Sequence, residues 1–221
     1  MQQLILDIRP HTPKRFDNFV VGDNAEVVAR LQAAGRAEAA DLLYLYGPPG
    51  SGRSHLLEAT QRAAARPTLR LSANAAGDFS AEAGTLLLID DIEQLDELAQ
   101  IALFRCFNAA QRDRLALVLA GSEAPLRLPL REDLRTRVGT TLMFEIKPLS
   151  DADKARTLLE QARARGMVVD AQLVDYLLRH GRRDLPSLLA LLDALDAASL
   201  ERKRPVTLSL LRELMQDSLP I

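Results

Sequence analysis

Eight residues constrain this chain more than any others. Gly47-Pro48-Pro49-Gly50-Ser51-Gly52-Arg53-Ser54 follows the apolar run Leu42 to Tyr46 and opens a helical stretch starting at Arg53. The string matches G-x-x-x-x-G-K-S with arginine in the lysine position. Glycines there let backbone N–H groups close around phosphate oxygens, the next helix adds the positive end of its dipole, and the Ser54 hydroxyl can ligate Mg²⁺. A Gly/Pro turn that binds nothing is the plain alternative, and the strand–loop–helix setting argues against it.

The first 149 residues supply that setting. Short apolar runs at Leu42 to Tyr46, Thr68 to Ala73, Thr85 to Asp90, Leu115 to Ala120 and Thr140 to Ile146 predict five strands, each near-continuously apolar as strands buried on both faces should be. Between them Val27, Leu31 and Ala34, then Leu56, Leu57 and Ala63, then Leu95, Leu98, Ala102 and Phe107 recur at helical spacing. Those helices are the crossovers a mostly parallel sheet requires. The expected fold class is therefore α/β, a P-loop NTPase with a five-stranded, mostly parallel sheet.

After Pro148 only helical patterns remain. Ser150 stands as an N-cap before Asp151 and Asp153, Gly166 and Gly181 read as stops, and later helices begin near Asp184 and Thr207. Leu188, Leu191, Leu192 and Leu195 form one stripe, and Leu210, Leu211 and Leu214 another. At about 70 residues this small all-helical lid would lean on the larger unit. The expected division is a peptide over 1–12, an α/β nucleotide-binding unit over 13–149 and a helical unit over 150–221; a length of 221 allows one or two domains.

Composition removes other classes. Lys+Arg 28 against Asp+Glu 30 gives a formal charge of −2, so no global basic field holds the chain on nucleic acid, and any DNA contact is local or indirect. With 4% aromatic residues and no Trp, base-stacking platforms for single strands are not available. One cysteine excludes a disulfide framework, and three scattered histidines do not make a zinc site. The opening residues lack a signal-peptide pattern and no run is long enough to span a bilayer, so a cytoplasmic protein with no membrane contact is expected.

Further site candidates follow the strands. Leu86-Leu87-Leu88-Ile89 delivers Asp90 and Asp91 to the carboxyl edge where α/β sheets bind ligands. Asp90 would hold Mg²⁺ and Asp91 would orient an attacking water, although such a pair alone is more often a helix cap. Ser122, beyond the next strand, would sense the γ-phosphate, or simply form a turn beside Gly121. Arg53 replaces a compact ammonium with a planar fork, which predicts nucleotide affinity with weak hydrolysis. Only 4 of the 28 basic residues are lysine, so a general drift toward arginine is the alternative. His55 and Cys106 read as structural, and the Arg202-Lys203-Arg204 run as a solvated helix end.

With those residues in place the chain resembles an AAA+ ATPase, and more closely the family of the bacterial replication initiator DnaA. Phe16-Asp17-Asn18-Phe19-Val20-Val21-Gly22 resembles the initiator's adenine-side segment, Leu87 to Glu93 its second nucleotide motif, and Leu103-Phe104-Arg105-Cys106-Phe107-Asn108 the helix after it. Pro148-Leu149-Ser150-Asp151 resembles the start of its lid. The initiator also carries a C-terminal helix-turn-helix domain, whereas this sequence stops at Ile221, and the remainder is similar to the Hda family, which shares Gly52-Arg53-Ser54-His55.

The Hda resemblance implies a negative regulator of replication initiation. Val20, Val21, Gly22, Pro49, Gly50, Ser51, Gly52, Arg53, Ser54 and His55 would bind ADP or ATP, with Mg²⁺ on Ser54 and Asp90. Gln3, Leu4, Leu6 and Ile8 resemble the peptide that binds the DNA polymerase III sliding clamp, bringing the chain to DNA indirectly; an edge strand is the other reading of that segment. Arg137 falls at the arginine-finger position and would act in trans on ATP held by DnaA. Pro186 falls where the family presents a lid arginine, leaving Arg182 or Arg183 to substitute and favouring ADP. A homodimer through a surface kept for a partner is an expected alternative assembly. Two other functions remain open: an ATP-hydrolysing helicase loader or initiator-like ATPase, and an interaction module with a degenerate loop.

Overall fold

A computed structural model describes residues 13–36, 40–71, 77–182 and 184–217. Five strands form one sheet: β1 (Leu42–Tyr46), β2 (Thr68–Leu71), β3 (Leu86–Ile89), β4 (Ala116–Gly121) and β5 (Leu142–Glu145). Their order is β2-β3-β4-β1-β5, and every ladder is parallel. The helices between them are α1 (Ala25–Ala34), α2 (Arg53–Ala63), α3 (Glu97–Ala109) and α4 (Glu132–Gly139).

Both faces of the sheet are covered, and the period-2 alternation of each strand sorts its side chains between them. Leu43, Leu45, Leu86, Leu88, Ala116, Val118 and Ala120 pack with Val27, Leu31, Leu56 and Leu57 of α1 and α2. Tyr44, Leu87, Ile89, Leu117 and Leu119 pack on the other face with Leu103, Phe107, Leu134 and Val138 of α3 and α4.

The structure corrects parts of the predicted pattern. Three strands, β3, β4 and β5, differ from the predicted bounds by one or two residues at an end, and the predicted end of β2, residues 72 and 73, lies outside the described part. The last strand is not buried on both faces: as an edge strand, β5 leaves Leu142 and Met143 exposed at 44% and 45%. Leu98 and Ala63, counted on helical apolar stripes, are also exposed, Ala63 as the last residue of α2 and Leu98 at 58% in the first turn of α3.

Residues 151–217 fold as α5 (Asp151–Ala164), α6 (Ala171–His180), α7 (Leu185–Arg202) and α8 (Leu208–Asp217). Their core joins Leu158, Leu173, Leu177, Leu188, Leu192, Leu195, Leu210 and Leu211. Three starts are capped as side-chain chemistry dictates: Ser150 Oγ accepts from the Asp153 N–H, Asp170 from Leu173 and Asp184 from Ser187. Each such cap is worth about 1 kcal/mol. Gly166, at φ +74°, ends α5 in the left-handed conformation that glycine tolerates. Asn24 ties the segment before α1 to the β5–α5 connection, donating to the Lys147 carbonyl at 3.0 Å and accepting from its N–H at 2.9 Å.

Candidate functional site

Strand order decides what meets at the carboxyl edge. β3, β4 and β1 are neighbours although β2 and the helices α2 and α3 separate them in sequence. The residues after them, Asp90-Asp91, Ser122 and the Gly47 loop, therefore converge where β1 lies between strands reached in opposite directions, the topological switch of an open α/β sheet.

The loop has the backbone that its glycines permit. Gly52 stands at φ +102° as the N-cap of α2, and a Cβ there would lie 2.8 Å from the Phe19 ring. Gly50 stands at φ +78°, and a Cβ there would lie 2.7 Å from Asp184 Cβ of the helical unit. The loop is thus gripped between the segment before α1 and the start of α7, with no room for a side chain at either place.

Two cavities flank this grip. One of about 280 Å³ is lined by Lys14, Phe19, Val20, Gly50 to His55, Leu149 and Pro186. The other, about 620 Å³, is lined by Pro48 to Ser51, Ser150, Lys154, Arg182 and Asp184. Ser51 Oγ and Arg53 Nη1 are buried without a hydrogen-bond partner among the described residues. Buried donors are ordinarily paired. Orphans in a cradle that admits no Cβ fit an anion with several acceptor oxygens, such as a nucleotide's phosphates.

Arg53 is committed elsewhere by half. Its side chain is 10% exposed, and Nη2 lies 3.4 Å from Asp91 Oδ1. Asp91 sits at φ +45°, a left-handed conformation uncommon outside glycine, and its N–H donates to Asp90 Oδ1 at 3.1 Å. Burial, then the charge of Asp90, pushes the Asp91 carboxyl up, while Arg53 opposes that shift. Asp90 is buried. Among the described residues no cluster of three His, Cys, Asp or Glu could cage a metal. At this edge Ser54 and Asp90 carry oxygens of the kind Mg²⁺ takes, an ion that uses one or two protein ligands and fills its shell with phosphate and water.

Ser122 is held through its backbone: its N–H donates to Glu93 Oε1 at 3.0 Å. Tyr44, buried beneath, donates its hydroxyl to the Glu123 carbonyl at 2.5 Å, and burial, then Glu93, pushes that phenol well above its ordinary range. His55 accepts from or donates to nothing in the loop; its Nε2 meets the Arg15 carbonyl at 2.9 Å and its ring lies 5.3 Å from Phe19. Burial pushes its pKa down, and its contacts tie it to the 13–19 segment.

The remaining predicted residues divide. Val20 and Pro49 line the cavities, whereas Val21 and Gly22 are absent from both linings. Gly22 instead abuts Leu149, 2.9 Å from where its Cβ would stand. Arg137 is exposed on α4 and lines neither cavity; Nη2 donates to Asn108 Oδ1 at 3.0 Å and the guanidinium carbon lies 5.8 Å from the Phe104 ring centre. Arg182 is 86% exposed and 3.6 Å from Asp184, Pro186 lies in the first turn of α7, and Arg183 lies outside the described residues. Gln3, Leu4, Leu6 and Ile8 lie outside them too. Sequence reasoning missed the Glu93 tie, the Asn24 tie and the Asp184 contact. Their signal is tertiary, since each partner is 29 or more residues away.

A P-loop on a parallel sheet of order β2-β3-β4-β1-β5, followed by a four-helix lid, defines an AAA+ fold. Solved structures of that class agree. Domain III of the Thermotoga maritima replication initiation protein DnaA matches with a TM-score of 0.76 at 17% identity, covering 95% of this chain and 98% of that one. The replication initiator DnaA bound to AMPPCP and single-stranded DNA gives 0.67 at 22%, covering 86% and 67%. The Thermotoga maritima RuvB Holliday junction branch migration motor gives 0.70 at 20%, covering 92% and 72%. At such identities the likeness is one of fold. A family model adds to this: residues 151–215 match the model described as Hda, lid domain. No helix among the described residues is long and apolar enough to cross a membrane.

Proposed function

We propose that this chain is a nucleotide-binding regulator of replication initiation that acts on another protein's ATP. Three working parts follow the division 1–12, 13–149 and 150–221. The loop from Pro49 to His55 holds ADP, with Val20 beside the base and Ser54 and Asp90 on Mg²⁺, while Val21 and Gly22, which line neither cavity, shape the segment that carries Val20. The peptide carrying Gln3, Leu4, Leu6 and Ile8 engages the sliding clamp and so reaches DNA indirectly. Arg137 reaches the γ-phosphate of ATP on the initiator DnaA.

The exposed seat of Arg137 carries this reading. Its guanidinium rests on a neutral amide and a ring face of α3, with no carboxylate paired to it among the described residues, so it can leave for an anionic partner at little cost. An arginine supplied in trans accelerates phosphoryl transfer by about 10³ to 10⁵. Within the chain's own site, Asp91 and Ser122 are the residues that would orient water and sense the γ-phosphate. The Arg53–Asp91 pair supports weak turnover there and disfavours the helicase-loader reading. Hydrolysed ATP would leave the initiator in an ADP form, consistent with a negative regulator. The Hda lid match and the DnaA-like fold support the choice of partner.

The test is a reconstituted assay of ATP hydrolysis by DnaA, with and without this chain and a DNA-loaded clamp. Stimulation that depends on Arg137 supports the reading. Ordinary ATPase turnover by the isolated chain, with no effect on DnaA, replaces it with the helicase-loader alternative.

A further inference from the structure

The Arg53 side chain raises a question that a phosphate-binding role alone does not answer. It is nine-tenths buried, yet its two terminal nitrogens are used differently: Nη2 is 3.4 Å from Asp91 Oδ1, and Nη1 has no partner among the described residues. Asp91 in turn holds a left-handed backbone at φ +45°, steadied by the bond from its own N–H to Asp90. Conformations of this kind persist where surrounding contacts hold them, and they cluster at functional sites. A guanidinium binds phosphate best when both arms of its fork reach phosphate oxygens, whereas here one arm is already on the Asp91 carboxylate.

We propose that Asp91 and the nucleotide's phosphates compete for the Arg53 guanidinium, so that filling the loop and releasing the Asp91 carboxylate are one event. This rests on the reading of Gly47 to Ser54 as a nucleotide cradle and extends it to the far side of the site. A lysine in the same place would present a point charge with three rotatable donors. The planar fork instead ties the loop to the end of β3 whenever it is not on phosphate. The consequence is specific. Part of the attraction between Arg53 and phosphate is offset by the broken pair, and that part should return when the Asp91 charge is removed. Release also reaches the next strand. Asp91 precedes the turn Ile92–Gln94, in which Glu93 holds the Ser122 N–H at the end of β4.

The measurement is a double-mutant cycle read by equilibrium ADP affinity, using calorimetry on the full chain in EDTA so that metal binding at Asp90 does not contribute. The four proteins are the wild type, Asp91→Asn, Arg53→Met and the double variant. Asp91→Asn should tighten ADP by about three- to tenfold when Arg53 is present and by less than about twofold in the Arg53→Met background, the size expected of coupled neighbours. Equal tightening in both backgrounds would mean a general field effect of one charge and would overturn the competition. So would weaker binding in Asp91→Asn. Asp91→Ala repeats the comparison should the asparagine keep a hydrogen bond to Arg53. If ADP binds no variant and not the wild type, the cradle itself is misread, an outcome distinct from binding without coupling.

Discussion

Two arginines of this chain sit in opposite circumstances. Arg53 is 10% exposed at its side chain and faces a carboxylate of its own chain, 38 positions on. Arg137 is exposed and is held by an amide and an aromatic face, neither charged. A buried cation beside an anion is compensated, and leaving that partner is costly. A cation on neutral, exposed partners keeps its charge for another molecule. On the proposed function, the contrast separates a ligand-holding site from a partner-acting surface, and it can be broken by experiment.

The largest effect belongs to Arg137→Ala. Stimulation of initiator-bound ATP hydrolysis should fall about 10³-fold or more, while ADP affinity of the chain changes by less than about twofold. Unchanged stimulation removes Arg137 from the reaction; lost ADP binding merges the two regions. Gly52→Ala attacks the other side of the comparison. It places a side chain at φ +102° and against Phe19. Strain of about 1–3 kcal/mol, if relieved by loosening the loop, should weaken ADP roughly five- to 150-fold by calorimetry.

Smaller effects sharpen the picture. Asn108→Ala removes the neutral holder of Arg137, and the change in stimulation should stay within about fivefold, the reach of one exposed hydrogen bond of about 1 kcal/mol. A collapse as large as that of Arg137→Ala would make Asn108 a working part. Cys106 checks the face of α3 on which this seat is built: it points into the core at 5% exposure, and burial pushes its thiol up. Alkylation of the native protein should be at least about tenfold slower than of the denatured protein. Fast native alkylation would mean that α3 is turned, and the Phe104–Asn108 seat with it.

Much of the fold was legible. The alternation of apolar runs with helical stripes led to five parallel strands, and Ser150, Asp184 and Gly166 marked helix ends because capping is local chemistry. The edge position of β5 was not legible, since an apolar run looks alike in a central and a terminal strand. At the site, the loop and the Asp90-Asp91 pair could be read as motifs, but the ion pair between Arg53 and Asp91 could not. Glu93 was visible only as a letter in a resembling segment, with no hint that it would hold the Ser122 backbone.

By itself, the order of residues determined the elements and the chemistry each could bring: glycines for a phosphate cradle, carboxylates after a strand, a cation near the end of α4. Those features are written in neighbours a few positions apart, where periodicity and capping act. Only the tertiary structure decided that β1 lies between β4 and β5, that Asp184 meets Gly50, and that one arginine turns inward while the other rests outside. Those outcomes depend on which distant surfaces exclude water together, and burial of that kind has no local signature.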